Sequence, residues 1–285
     1  MASSTVLDYL ERDMSIPQPI ADRLELARTI ACEAGRLTLD YFRKADLVVE
    51  RKDDDSPVTV ADRAAERLLR ERIEAAFRDD AILGEELGER PGTSPFRWVV
   101  DPIDGTKSFI TGVPLYTTLV GLLERTPEGE ESVLGVIYAP VTDEMVYAAR
   151  GGGAWYAVGG AQATAARVSS VDKLSDAVFL TSEVGSFTSE RAADALDVYL
   201  KLENTARLSR TWGDAYGYLL VATGRADVMV DPILCLWDAV ALQPILEQAG
   251  GSFTDWQGRA TVHGGEGIGC NRHLLDEVVA ITRGG

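Results

Sequence analysis

The sequence predicts a mixed α/β (α+β) fold in one domain spanning 1–285, and three observations carry that reading. Two amphipathic helical stretches lead into short apolar runs separated by turn signals, the pattern of neighbouring antiparallel strands. The second half then alternates strand-like and helix-like segments, as a layered sheet with helices on its faces does. The 285 residues are 46% hydrophobic and 26% charged, which suits one large core or two closely packed halves, here about 20–150 and 151–285. No long linker, low-complexity tract or internal repeat divides them.

In order, residues 20–42 place Leu24, Ala27, Ile30, Ala31, Ala34, Leu37 and Tyr41 at helical spacing and predict an amphipathic helix on a core. Val48 and Val49 suggest a short strand, and Asp53 to Asp55 with Ser56 and Pro57 read as an exposed loop. A second helix is expected from Thr59, with Asp62 in its first turn, where a carboxylate favours the helix dipole. Residues 81–83 form an apolar run that ends in Gly84, Glu85 and Glu86. The polar stretch 89–95 predicts a mobile loop. Residues 98–100 read as a buried strand, and 116–123, 133–138 and 144–149 as consecutive antiparallel strands. Gly151 to Gly153 form a joint, and 154–158 with Gly159 and Gly160 a hairpin. Beyond it the pattern gives a strand at 177–181, a helix at 189–202, a short strand at Leu208, a helix at 213–223 and a strand at 226–230. A helix at 237–248, ended by Gly250 and Gly251, should be kinked by Pro244. A hairpin around 255–258 and a helix at 271–281 close the chain.

The formal charge of −17 argues against nucleic acid or an anionic membrane as partner. Divalent cations would offset several of those carboxylates. Cys32, Cys235 and Cys270 are too scattered for a disulfide framework or a zinc site, so they are expected to be buried small hydrophobes in a reducing, cytoplasmic setting. Asp8, Glu11 and Asp13 speak against a signal peptide, and no apolar run is long enough to cross a membrane.

The informative stretch is WVVDPIDGTKSF, Trp98 to Phe109. Asp101 ends the strand, Pro102 should stop the ladder, and a turn carries Asp104 and Gly105. Taken alone, this is equally well an Asx-rich surface turn. Two carboxylates at a strand end are also a clamp for a hard cation, and a helix start at Thr106 would offer N–H groups to an anion beside it. Asp238 stands at the start of a later helix, where the bland reading is an acid favoured by the dipole. Glu85, Asp101, Asp104 and Asp238, with Asp62 as a fifth, would repel one another in one pocket unless cations are present. His263 and His273, both late in the chain, are expected to be surface or structural. Ligation would be by oxygen alone, which suits Mg²⁺ or Mn²⁺.

At this point the residues resemble a known family. WVVDPIDGTKSF is very similar to the signature of the inositol monophosphatase superfamily. LWDAVAL followed by AGG, the earlier GEE, and PVTVAD match the same family in order. The resemblance covers the chain from about Ile20 to its end. It implies a layered α-β-α-β-α sandwich of the inositol monophosphatase / fructose bisphosphatase type, usually a homodimer, that hydrolyses small phosphate monoesters with two or three Mg²⁺. It also implies that Glu85, Asp101 and the Ile103 carbonyl bind one metal, and that Asp101, Asp104 and Asp238 bind a second. Asp62 and Thr106 would position and deprotonate the attacking water, with Glu85 assisting, and Gly105 and Thr106 would hold the phosphate. Lys52 falls near a family lysine.

Asp214 stands where inositol phosphatases commonly carry a small uncharged residue, and Asp231 where they carry a glutamate. The stretches RTWGDAYGYLLVATGRADVMVDP and FTDWQGRATVHGGEGIGCNRHLLDEV resemble the histidinol-phosphatase branch. Two acids would suit that branch's cationic substrate through charge-assisted hydrogen bonds. The bland alternative for Asp214 is a helix N-terminal acid. Arg210 is a substrate contact or a partner of Asp214, and Trp212 and Trp237 are core or pocket wall. The competing functions are an inositol-1-phosphate or broad sugar-phosphate phosphatase and, more remotely, a non-catalytic binding protein on the same fold.

Overall fold

The first half of the chain folds around a strand that is apolar on both faces. In the computed structural model, which describes residues 16–45, 48–51, 57–188 and 195–283, helix α1 (Gln18–Leu39) and helix α2 (Val60–Ala76) lie together on one side of an eight-stranded sheet. A small ribbon of β1 (Val49–Arg51) and β2 (Pro57–Thr59) precedes α2. Lys52 and the Asp53 to Asp55 run lie outside the described residues. The large sheet comprises β3 (Ala81–Gly84), β4 (Gly88–Arg90), β5 (Phe96–Asp104), β6 (Thr117–Thr126), β7 (Gly129–Ala139), β8 (Glu144–Ala149), β9 (Ala154–Val158) and β10 (Thr164–Ala165). Their order is β10-β9-β8-β7-β6-β5-β3-β4, with β3–β5 parallel and the other pairs antiparallel. Trp98 and Val100 of β5 pack toward α1 and α2, and Val99 between them packs the other way, as strand alternation requires.

The second half builds a five-stranded sheet from β11 (Val178–Leu180), β12 (Leu208–Arg210), β13 (Val228–Asp231), β14 (Gly251–Thr254) and β15 (Gly267–Asn271), in the order β12-β11-β13-β15-β14. Helices α5 (Ala215–Ala222) and α6 (Leu236–Gln248) fill the space between the two sheets, while α4 (Leu196–Thr205) and α7 (Leu275–Thr282) cover the far face. A short α3 (Thr106–Ile110) follows β5. The result is the α-β-α-β-α layering. Helices α5 and α6 are apolar on nearly all sides because both of their flanks face a sheet.

Helix α6 lies unusually close to the large sheet because Gly121 and Gly135 pair across β6 and β7. A Cβ on Gly135 would sit 2.0 Å from the Ala241 carbonyl oxygen, and one on Gly121 would sit 2.6 Å from Val240 Cγ1. Pro244 lies inside the helix, which runs on past it to Gln248. It removes the N–H that would bond the Val240 carbonyl, and the buried Ser132 hydroxyl donates to that carbonyl instead at 2.7 Å.

Other expectations need correcting. Pro102 does not stop β5, because a register shift between Asp101 and Asp104 absorbs it as a bulge. The stretch 89–95 is not a loose loop: its start pairs with β3, and Thr93 and Ser94 donate backbone N–H groups to the Asp79 carbonyl. The helix expected at 189–202 is described from Leu196, and 189–194 lie outside the described residues. Of the cysteines Cys270 is buried, Cys32 is half-buried and Cys235 is exposed, since it sits at a helix start on a pocket rim. Trp212 is 40% exposed and so is not core, whereas Trp237 lines that pocket. Both histidines are exposed, and no helix among the described residues is long and apolar enough to cross a membrane.

Candidate active site

Strand ends from both sheets and the starts of α3, α5 and α6 open onto one cavity of about 420 Å³. Its wall includes Glu85, Asp101, Ile103, Asp104, Gly105, Thr106, Asp214, Asp231 and Asp238. The fold therefore brings together acids that the sequence scatters from 85 to 238.

At its centre, carboxylate oxygens of Asp101, Asp104 and Asp238 lie within 4.8 Å of one another. Each is held by local chemistry. Asp101 Oδ1 accepts the Ile103 N–H at 3.0 Å, which fixes the bulge. Asp104 Oδ2 accepts the Thr117 hydroxyl at 2.9 Å and the Ala215 N–H, at the start of α5, at 2.7 Å. Asp238 Oδ2 accepts the Cys235 N–H at 2.7 Å, so it also caps α6, as its bland reading has it. Burial, reinforced by neighbouring carboxylates, pushes Asp101 and Asp104 well above the usual carboxylate range and Asp238 up to about 8. Three acids cannot all be ionised at this spacing without a counter-charge, so the donor set fits a hard divalent cation. Glu85 stands outside the triad but on the same wall, and its charge raises Asp101 and Asp238. The Ile103 carbonyl accepts the Thr106 hydroxyl at 3.2 Å and keeps a second lone pair.

Asp62 is wholly buried and does not line the cavity. Its Oδ2 is taken by the Thr59 N–H and hydroxyl, at 2.8 and 2.5 Å, which is the capping role of its bland reading. Its Oδ1 is buried without a partner, and burial, with Glu85 nearby, raises its pKa. No hydrogen bond joins Asp62 to Thr106.

Gly105 has φ +87°, and a Cβ there would stand 2.7 Å from Asp214 Oδ2. Asp214 itself is strained, with φ 33° and ψ −141°, and its side chain makes no cap to α5. Burial, with Asp231 and opposed by Lys107, raises its carboxyl to about 6. Asp231 is buried, and its Oδ1 accepts the Ser182 N–H at 2.9 Å and the Ser182 hydroxyl at 2.8 Å. Its Oδ2 and the Tyr218 hydroxyl interact with each other on the cavity wall. Arg210 is exposed, turns back onto the Ser209 carbonyl at 2.6 Å and is not on the wall.

Sequence reasoning passed over Tyr218 and Ser182. Ser182 follows the end of β11 just as Glu85 follows β3, a signal the strand-end rule would have caught. Tyr218 had a fainter signal in Gly267 and Gly269 of β15. A Cβ at Gly269 would meet the Tyr218 ring at 2.6 Å, and one at Gly267 would meet its hydroxyl at 3.2 Å.

The chain is 45% identical to a histidinol-phosphatase of Chlorobaculum parvum over 86% of its length and 90% of that protein. It is 39% identical to one of Streptomyces coelicolor, over 90% and 96%. Among solved structures, the Thermotoga maritima IMPase superposes with a TM-score of 0.80 at 30% identity, over 92% of this chain and 97% of that one. The family model described as "Inositol monophosphatase family" matches residues 21–283. With its layered fold and its acids gathered at the strand ends, the chain belongs to the inositol monophosphatase family.

Proposed function

We propose that this protein is a Mg²⁺-dependent, cytoplasmic phosphomonoesterase that hydrolyses L-histidinol phosphate to L-histidinol and phosphate. The observation that carries the substrate assignment is the pair Asp214 and Asp231, two acids on the wall of the cavity that also holds the triad. Histidinol phosphate offers an ammonium and an imidazole, both hydrogen-bond donors. Asp231 Oδ2, the Tyr218 hydroxyl and Asp214 are acceptors beside the triad. The names of the two relatives above agree with this reading.

Asp101, Asp104 and Asp238, with Glu85 and the Ile103 carbonyl, would hold the cations. Those ions supply neutralisation of the phosphoryl oxygens and of the leaving alkoxide. The rest falls to the chain. Gly105 and the start of α3 present N–H groups to the phosphate. The Thr106 hydroxyl, which donates to the Ile103 carbonyl here, would turn from it to orient the attacking water. Asp62, buried behind the wall with one unpartnered oxygen and a raised pKa, would take its proton through the Thr106 hydroxyl, with Glu85 on the wall assisting. Lys107 is the one basic side chain on the described cavity wall, which leaves a second phosphate without a cation.

The test is kcat/KM with Mg²⁺ for L-histidinol phosphate, inositol-1-phosphate and β-glycerophosphate. A preference of a hundredfold or more, about 2.7 kcal/mol of differential transition-state binding, supports the assignment. A flat profile removes the substrate and keeps the hydrolase. Sedimentation at working concentration tests the homodimer that the family resemblance implies.

A further inference from the structure

Glu66 is fully buried in the middle of α2, one turn after Asp62. Buried glutamates are rare unless their oxygens are fully used, and here they are. Oε2 accepts the Glu86 N–H at 2.7 Å. Oε1 accepts the Leu87 N–H at 3.2 Å and the Arg70 Nε at 2.7 Å. Arg70 also reaches the Gly88 carbonyl with its other arm. A Cβ on Gly84 would stand 2.0 Å from Glu66 Oε1, so the glycine of GEE is there to admit this carboxylate. One ion pair on α2 thus grips the turn from Gly84 to Gly88. That turn carries Glu85, which stands outside the tight triad and hangs on the cavity wall.

We propose that Glu66, braced by Arg70, is a positioning residue that aims Glu85 at the metal site. Because α2 also carries Asp62, the same helix sets the base and the outlying ligand relative to each other. The inference rests on Glu85 being a metal ligand, as assigned above.

Mn²⁺ binding to the whole protein, read from the free-ion EPR signal, tests it without turnover. Glu66→Gln keeps the shape but exchanges an acceptor for an amide that faces N–H donors. Outer partners of metal ligands typically change affinity by about 10–100-fold, so the Mn²⁺ Kd is expected to rise by at least about tenfold. At saturating Mg²⁺, kcat should return to within a few-fold of normal, a split that loss of stability alone does not produce. Glu85→Gln is run alongside. If it weakens Mn²⁺ binding and Glu66→Gln does not, the positioning role is overturned and the ligand assignment stands. If Glu85→Gln leaves Kd unchanged, the ligand assignment falls and the positioning role with it. Should Glu66→Gln not fold, Arg70→Lys, which keeps the charge and loses the second arm to Gly88, decides by the same signal. A weaker Mn²⁺ Kd supports the proposal and an unchanged one overturns it.

Discussion

Asp238→Asn separates what the triad does for chemistry from what it costs the fold. The amide oxygen still accepts the Cys235 N–H, so the cap on α6 survives and only the charge is lost. In the metal-free protein the Asp238 carboxyl is raised from 3.8 to about 8, first by burial and then by neighbouring acids. A group raised on folding contributes stability below its unfolded pKa and loses it as pH climbs to the folded one. The window here runs from about pH 4 to about pH 8. One pH unit is about 1.4 kcal/mol, so a fully enclosed group would cost roughly 4 kcal/mol at pH 7. Asp238 faces an open cavity and is partly solvated, which brings the expected gain on neutralising it to about 1–3 kcal/mol. The metal-free variant should therefore melt about 2–6 °C above the parent at pH 7, with the gap closing toward pH 4. With Mg²⁺ the order inverts, because the parent alone gains strongly from the ion. Turnover should fall by at least about a thousandfold, since a metal supplies several kcal/mol to the transition state. Calorimetry from pH 4 to 8 with and without Mg²⁺, beside kcat, reads all of this. An unchanged Mg²⁺-induced shift in Tm would refute the reasoning, as would a metal-free variant less stable than the parent at every pH.

Further outcomes follow from other contacts. Thr106→Ala and Asp62→Asn should each lower kcat by about 10²–10⁴-fold with little change in KM; steady-state kinetics decides, and an effect confined to KM contradicts the water-positioning role. Asp214→Asn should reduce kcat/KM for histidinol phosphate at least about tenfold more than for inositol phosphate, one charge-assisted hydrogen bond being roughly 1.5–3 kcal/mol; equal losses remove its part in specificity. Arg23→Met should cost about 3–5 kcal/mol in denaturant unfolding with normal kcat. It strips a buried partner from Asp80 (2.8 Å) and a guanidinium sandwiched 4.1 and 4.0 Å from the Phe77 and Phe96 rings. Gly135→Ala should destabilise by at least about 1–3 kcal/mol, the usual cost of overpacking, because the Ala241 carbonyl cannot withdraw without moving α6; an unperturbed Tm would contradict the close approach.

The elements that the sequence made legible are those whose chemistry is local. Apolar spacing located α1 and α2, and alternation between turn residues located β6 to β8. Acids just past apolar runs marked Glu85, Asp101 and Asp104, since a strand end is recognisable without its partners. What escaped depends on contact across the fold. Pro244 reads as a kink site, and nothing near it in the chain announces that Ser132, on a strand of the large sheet, donates to the carbonyl it orphans. Glu66 reads as one more helix-surface acid, because nothing in its own neighbourhood announces that the GEE turn will fold over it. Arg210 is near Asp214 along the chain, yet its side chain is exposed and donates to the Ser209 carbonyl.

Asp104 couples the acidic triad to the Asp214 side of the cavity. Its Oδ2 binds Thr117 in the first half and the Ala215 N–H in the second, so it fastens the start of α5 to the large sheet. The residue before Ala215 is Asp214, whose backbone must take a conformation that side-chain-bearing residues seldom adopt in order to point that N–H at Asp104. That backbone sits beside the Ala215 bond to Asp104, and the Asp214 carboxylate lies against Gly105 at the start of α3. On the proposed function, a substitution at Asp214 would act in two ways: it would alter a group offered to the substrate, and it would alter how easily the backbone aims Ala215 at Asp104. Comparing Asp214→Gly with Asp214→Thr separates them. Glycine relieves the backbone and removes the carboxylate, so its loss should fall on substrate preference while Mn²⁺ affinity holds. A bulkier, β-branched Asp214→Thr should weaken both, since a branched side chain tolerates a positive φ poorly. If threonine and glycine left Mn²⁺ affinity equally intact, the link between the two halves of the site would be absent.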